Sequence, residues 1–176
     1  MIIGNTKNFA VEITLYEDHS PLLEGEFSYW INSEKLGENE TVYLNDVYMS
    51  MIWFSQDNDR KYAEEIRGNF TEIFNELYDN IYNSEDFEGC PGRYDISVNI
   101  CGGIGRYRVF YIEDNYYGYL LYKKNSNGTV NSFKIKKGKV GRALKEAFSV
   151  LDLMYENVHK GGIRSPSGNS KNENNY

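Results

Sequence analysis

The side chains best suited to catalysis or metal binding are few in this chain and lie far apart along it. Its 176 residues contain only two histidines, His19 and His159, and two cysteines, Cys90 and Cys101. No serine lies in a Gly-x-Ser-x-Gly turn, and no His-Glu-x-x-His helix is present to bind zinc. The cysteines are too few for a disulfide scaffold and lack the spacing of a zinc knuckle. We therefore predict no catalytic residue, no metal site and no cofactor.

Carboxylates, in contrast, are abundant and occur in short clusters such as Glu85-Asp86 and Glu113-Asp114. Paired acids can perform glycosidic or metal-assisted hydrolysis when a cleft holds them at particular separations. Most of these acids fall on predicted loops or polar helix faces, where a solvated surface is the simplest interpretation. A small metal-dependent enzyme with an acidic cleft remains an alternative. A small-ligand-binding module that uses the 16 tyrosines is a further alternative.

Charge is divided unevenly along the chain. The net charge is −7, but residues 1–114 hold 8 basic and 22 acidic side chains, whereas residues 115–176 hold 11 and 4. Such separation creates a field that could accelerate association with a charged partner, unless the fold interleaves the two segments. The basic segment also carries aromatic residues, a combination that some nucleic-acid surfaces use. Because the whole chain is acidic and has no nucleic-acid motif, we expect no nucleic-acid partner.

Hydrophobic periodicity predicts strands, then helices, then strands, then a helix. Strands are predicted near residues 8–16, 25–31, 40–44, 94–100, 106–113, 116–124 and 129–136, and helices near 45–53, 61–82 and 138–161. Asn45 and Asn69 are predicted helix caps. The connections are too short for parallel crossovers. We expect an α+β fold over residues 1–162, a single domain with an antiparallel meander sheet covered by two or three helices, and a disordered polar tail over 163–176.

Signals for export or membrane insertion are missing from the sequence. No apolar run approaches the roughly 20 residues needed to span a bilayer. The chain begins without the basic and apolar regions of a secretory signal. We therefore expect a cytoplasmic protein with no membrane partner.

A further pattern runs through the first 60 residues. It consists of Gly4, Phe9, Ala10, Glu12, Gly25, Tyr29, Trp30, Ile31, Asn32, Leu36, Gly37, Leu44, Asp46, Val47, Trp53, Asn58 and Arg60. This pattern resembles the amino-terminal half of the immunity protein 42 family. Its members are small bacterial proteins encoded beside polymorphic or contact-dependent toxins. The resemblance implies that the chain binds and neutralises a cognate toxin domain by stoichiometric protein–protein inhibition, without chemistry of its own.

The candidate partner-binding residues lie on or beside predicted loops. They are Glu85, Asp86, Glu88, Glu113, Asp114, Tyr116 and Tyr117. A few aromatic or arginine anchors, ringed by polar contacts, supply most of the free energy of protein interfaces. Many nuclease toxins are basic because they bind phosphates, so an acidic face on this chain would complement a toxin of that kind.

Overall fold

The computed structural model describes residues 1–16, 22–37, 40–55, 69–83, 91–124 and 128–161. These residues form two antiparallel sheets and three α-helices, which confirms the α+β class. The strands are β1 (Ile2–Asn5), β2 (Phe9–Leu15), β3 (Glu24–Ile31), β4 (Glu34–Leu36), β5 (Val42–Tyr43), β6 (Tyr107–Glu113), β7 (Tyr117–Lys124) and β8 (Asn131–Lys136). The helices are α1 (Leu44–Ser55), α2 (Phe70–Tyr82) and α3 (Lys139–Gly161), with 3₁₀ turns at Pro91–Tyr94 and Gly103–Arg106.

The first sheet contains β1 to β5. Its order is β1-β2-β3-β4, and β5 pairs with the other end of β3. The alternation in β2 places Phe9, Val11 and Ile13 in the core, as the sequence predicts, while Glu12 stays on the outer face. On that outer face the Glu12 carboxylate accepts a hydrogen bond from the Trp30 indole at 2.8 Å and pairs with Lys35 at 3.0 Å.

The second sheet has the order β6-β7-β8 and is buried on both faces. Val109 and Tyr111 of β6 face the main core, which this sheet shares with the first sheet, α1 and α3. The alternate residues Phe110 and Ile112 face α2 in a smaller cluster. Two buried faces explain why β6 is an almost continuous apolar run. The predicted meander is therefore divided into two sheets that share one core.

α1 and α3 pack against each other beside the first sheet through a stack of aromatic rings. The Tyr48 ring lies 5.3 Å from the ring of Phe148 and 4.9 Å from that of Tyr155, centroid to centroid. Its hydroxyl donates to Oδ1 of Asp152 at 2.7 Å. Tyrosine suits this position because its ring is partly buried while its hydroxyl finds a polar partner. None of the described helices is long and apolar enough to cross a membrane.

The two predicted helix caps have different outcomes. Asn69 caps α2, since its side chain accepts the Glu72 N–H at 2.9 Å. The prediction for Asn45 was wrong, because α1 already begins at Leu44. The Asn45 side chain instead accepts the N–H of Leu23 at 2.9 Å and so ties α1 to the start of β3. Residues 61–68 of the second predicted helix lie outside the described residues.

The predicted strand at 94–100 was also wrong, although its buried positions were identified. Ile96 and Val98 are fully buried, but the segment makes only an isolated bridge between Asp95 and Phe110. Side chains replace the regular ladder here. The Val109 N–H donates to the Ser97 hydroxyl at 2.9 Å, and the Ser97 N–H donates to the Asp95 carboxylate at 2.8 Å. Short polar side chains commonly compete with backbone pairing in this way.

Candidate functional site

The turn between β6 and β7, residues 114–117, is held by one carboxylate. Oδ1 of Asp114 accepts the N–H groups of Tyr116 at 2.7 Å and Tyr117 at 2.6 Å, and Oδ2 accepts the Tyr119 hydroxyl at 2.9 Å. The Asp114 N–H donates to the Tyr117 carbonyl at 2.8 Å. An aspartate that bonds the backbone two and three residues on forms a compact turn. We call residues 114–117 the hairpin tip.

Hydrogen bonding at the hairpin tip favours the ionised form of Asp114. The N–H groups of Tyr117 and then Tyr116 lower the pKa of its carboxyl, and the Tyr119 hydroxyl and the Lys134 ammonium add to this effect. Donors that bind a carboxylate stabilise its charged form. The turn is therefore held by an aspartate that stays charged at neutral pH.

The hairpin tip projects two tyrosine rings. The Tyr116 side chain is 75% exposed and that of Tyr117 is 43% exposed, which makes Tyr116 the most exposed large hydrophobic residue among those described. The Lys134 ammonium lies 3.7 Å from the centre of the Tyr117 ring, within cation–π range. The Tyr116 carbonyl accepts the Lys137 N–H at 3.2 Å. The rings are thus exposed while the backbone that carries them is fixed.

Glu113, which the sequence grouped with this site, faces inward. It is only 8% exposed, and its Oε1 accepts the Tyr111 hydroxyl at 2.5 Å and the Gly138 N–H at 3.0 Å. Gly138 immediately precedes α3, so this carboxyl group holds the start of that helix. Burial and the bond to Glu113 raise the pKa of the Tyr111 hydroxyl well above its usual value. Glu113 therefore has a structural position and offers little surface to a partner.

The charge around the hairpin tip is mainly positive, which differs from the acidic face expected there. Asp114 is the one acid of the predicted pair that reaches the surface, and it already accepts three hydrogen bonds. Lys134, Lys136 and Lys137 follow on β8 and its exit, and all three are exposed. The hairpin tip therefore offers aromatic area within a cationic neighbourhood.

Glu85, Asp86 and Glu88 lie outside the described residues. The described residues beside them lie at the end of α2 that is remote from the hairpin tip. Phe70 at the start of α2 contacts Tyr119, whereas Tyr82 at its end contacts Arg108. At a rise of about 1.5 Å per residue, the two ends of α2 are roughly 18 Å apart. Asn83, the last described residue before them, therefore lies at the end of α2 away from the hairpin tip.

A second surface was not identified from the sequence. A groove of about 400 Å³ is lined by Glu24, Thr41, Val42, Tyr43, Asp46, Ile100 and Cys101. It lies where β5, the start of β3 and the first turn of α1 meet. The sequence did contain one indication of this acidic surface: between Lys7 and Arg60 it has 11 acidic residues and a single basic one, Lys35. Within the described part of the chain, no group of three or more His, Cys, Asp and Glu side chains could hold a metal ion.

The same fold occurs in a protein whose structure is known. The structure is similar to the crystal structure of CdiI from Burkholderia dolosa AUO158, with a TM-score of 0.67 and 15% sequence identity over 85% of this chain and 99% of that one. At that identity the likeness shows a shared fold. No curated protein matches the sequence. The model of the family described as immunity protein 42 matches residues 1–149, most of the chain. The chain therefore belongs to the immunity protein 42 family, and its function is to neutralise a toxin.

Proposed function

We propose that this chain neutralises one cognate toxin domain in the cytoplasm by stoichiometric binding without catalysis, and that the hairpin tip is an anchor of the complex. The observation that carries the proposal is the pair of exposed tyrosines, Tyr116 and Tyr117, on a backbone fixed by Asp114. Tyrosine is enriched among the residues that dominate binding energy. The comparison protein is a CdiI, a name that fits a role in contact-dependent inhibition.

The rigidity of the hairpin tip supports its role as an anchor. Ordering a flexible loop during association opposes binding, and a preformed loop avoids that cost. Each tyrosine has only two side-chain torsions to fix, so a large contact area forms with little loss of conformational entropy. The Lys134 ammonium also restricts the Tyr117 ring by lying 3.7 Å from its centre.

The toxin partner is proposed to be basic and of the nuclease type. A net charge of −7 supports this, because opposite net charges accelerate the encounter of two proteins. A nuclease needs cationic groups at its phosphate-binding surface, and an acidic protein bound there would exclude the substrate. Glu85, Asp86 and Glu88 stay in the proposed interface because of their charge and their sequence position.

Co-expression with the carboxy-terminal domain of the protein encoded directly upstream tests the function. We expect the chain to restore growth and to co-purify with the toxin domain in a one-to-one complex. Persistent toxicity without a complex would refute the proposal. The anchor is tested by a Tyr116→Ala/Tyr117→Ala variant, for which we expect dissociation to be at least about tenfold faster. Leu153→Ala is the matched control, since Leu153 is a 61% exposed apolar side chain on α3.

The three acidic residues at positions 85, 86 and 88 are tested by a separate variant. Replacing Glu85, Asp86 and Glu88 by lysine should slow association with the toxin domain, because charges at the rim of an interface act mainly on the association rate. An unchanged association rate would remove these three residues from the interface. That outcome would leave the proposed role of the hairpin tip as an anchor unchanged.

A further inference from the structure

The groove beside β5 combines an apolar floor with acidic walls. Val42 is buried and Ile100 is half-buried, while Asp46 is exposed and Glu24 is half-exposed. Tyr43 pairs with Glu24 across β5 and β3, so their side chains lie on the same face of the sheet. The volume of about 400 Å³ is within the range of sites that accept small ligands or single side chains.

Exposed apolar side chains concentrate at this end of the first sheet. Leu15, Tyr16, Leu22 and Tyr43 are 44%, 37%, 45% and 47% exposed. The backbone pairing of β2, β3 and β5 places Tyr16 and Tyr43 on either side of Glu24 and on the same face of the sheet, since the Tyr16 N–H donates to the Glu24 carbonyl and Glu24 pairs with Tyr43. Leu15, opposite Gly25, faces the other way. Single exposed apolar residues are normal, but a group of them rimmed by polar residues is typical of an interaction site.

The two groove carboxylates have no cationic partner within the described residues. The ion pairs found there join Lys35 to Glu12 and Arg106 to Glu40, and neither includes Glu24 or Asp46. The Tyr16 hydroxyl donates to Glu26 at 2.5 Å, so Glu26 already has a partner. Glu24 and Asp46 are thus available to a cation that comes from another molecule.

We propose that this groove receives an arginine or lysine side chain from a basic surface of the toxin domain. The aliphatic stem would contact Val42 and Ile100 while the charged head reaches the carboxylates of Glu24 and Asp46, as long cationic side chains do on apolar surfaces. Arginine fits best, because its planar head can bind carboxylates with paired hydrogen bonds and stack on the Tyr43 ring. The inference rests on the proposed function and adds a second contact to it.

The groove and the hairpin tip are separate contacts. The hairpin tip lies at the start of α3, which Glu113 binds through Gly138. The groove lies at the start of α1, close to Tyr48, which packs on Phe148 and Tyr155 further along α3. Along α3, Phe148 and Tyr155 lie about 10 and 17 residues beyond Gly138, which is roughly 15 to 25 Å. A toxin domain that contacts both places must span that distance.

Binding kinetics with a catalytically inactive form of the upstream-encoded toxin domain test the groove. A Glu24→Gln/Asp46→Asn variant should associate on the order of three- to tenfold more slowly at low salt, with a weaker dependence on ionic strength. Tyr43→Ala should dissociate at least about fivefold faster. The control is Glu76→Gln/Glu146→Gln, which changes the net charge equally at exposed positions on α2 and α3. Thermal melting of each variant confirms that it is folded.

The outcomes separate the two proposals. Failure of the unmodified chain to bind the toxin domain refutes the proposed function and the groove contact with it. Binding by the unmodified chain, together with groove variants that behave like the control, refutes the groove contact alone.

Cys101 gives an independent measurement, since its free thiol is exposed and lines the groove. Its alkylation should be slowed at least about tenfold in the complex if the groove is filled, and an unchanged rate would overturn the inference.

Discussion

Replacing Glu113 by alanine should destabilise the chain in the absence of any toxin. The substitution removes the acceptor of the Tyr111 hydroxyl and one acceptor of the Gly138 N–H, which also bonds Tyr111; the hydroxyl is buried, because Tyr111 is 1% and Glu113 is 8% exposed. A buried polar group that loses its partner costs about 1–3 kcal/mol. The Tyr111 hydroxyl is one such group, so we expect a loss of about 1–3 kcal/mol in the free energy of unfolding, with less if water enters the site.

Urea-induced unfolding, followed by tryptophan fluorescence, measures this loss. For a chain of this length, 1 kcal/mol corresponds to about 2–4 °C in melting temperature, so we also expect a decrease of roughly 2–12 °C. Glu113→Gln should retain much of the stability, because an amide oxygen can accept both hydrogen bonds. The matched control is Glu76→Ala on α2, which removes an exposed carboxylate and should change stability by less than about 0.5 kcal/mol.

A double-mutant cycle with Tyr111→Phe isolates the hydroxyl–carboxyl bond. Groups that share a hydrogen bond typically couple by about 0.5–3 kcal/mol. A Glu113→Ala variant as stable as the control, or a cycle with no coupling, would show that this carboxyl group does not support α3. If the destabilisation is found, loss of toxin binding on charge reversal at Glu113 reports misfolding, and only Asp114, Tyr116 and Tyr117 can be tested as contacts of the hairpin tip.

Three further changes test the packing and the turn. Phe74→Ala should cost about 3–5 kcal/mol, because its ring is 1% exposed and lies 4.9 Å from the ring of Phe110. Gly118→Ala should cost about 1–3 kcal/mol, because a Cβ there would lie 2.5 Å from the buried Tyr111 ring. Asp114→Asn should remove a pH-dependent contribution. The folded-state pKa of Asp114 is depressed, chiefly by the Tyr117 and Tyr116 N–H groups, so its contribution is present above the unfolded pKa of about 3.9 and lost as pH falls through the folded pKa.

The first two changes are measured by urea unfolding at neutral pH, and stability within about 0.5 kcal/mol of the unmodified chain would contradict the packing described. Asp114→Asn is measured as a difference in stability from the unmodified chain, from about pH 6 down to about pH 2. A difference that stays constant over that range would show that the charge of Asp114 does not hold the turn.

Elements with strong periodicity or specific capping residues could be predicted from sequence. β2 follows an alternation of seven residues, and α2 begins after Asn69 at the position its capping pattern indicates. β1 and β4 were missed because strands of four and three residues are too short to show a period. β4 also depends on a tight turn in which Asn32 and Ser33 have φ values of 51° and 67°. Serine seldom adopts such a conformation, so the two-residue hairpin gave a weak signal.

The candidate site was only partly predictable for a related reason. The sequence identified Tyr116 and Tyr117 from their position in a turn, and the structure exposes both. It grouped Glu113 with Asp114 because the two are adjacent, but successive strand residues face opposite ways, and Glu113 faces the core. The groove requires Glu24 and Asp46 to meet across β3, β5 and α1. Only the tertiary arrangement of those elements brings the two residues to one groove.

Because α2 packs on a small hydrophobic cluster of its own, this helix can open separately from the large core. α2 is held to the second sheet by Phe74 and Leu77, whereas the opposite face of that sheet is part of the large common core. Elements with few buried contacts open without global unfolding. We expect amide protons of α2 to exchange with solvent through a local opening that leaves β2 and β3 protected. Because Phe70 of α2 contacts Tyr119 beside the hairpin tip, that opening would also uncover the Tyr119 ring next to the proposed anchor.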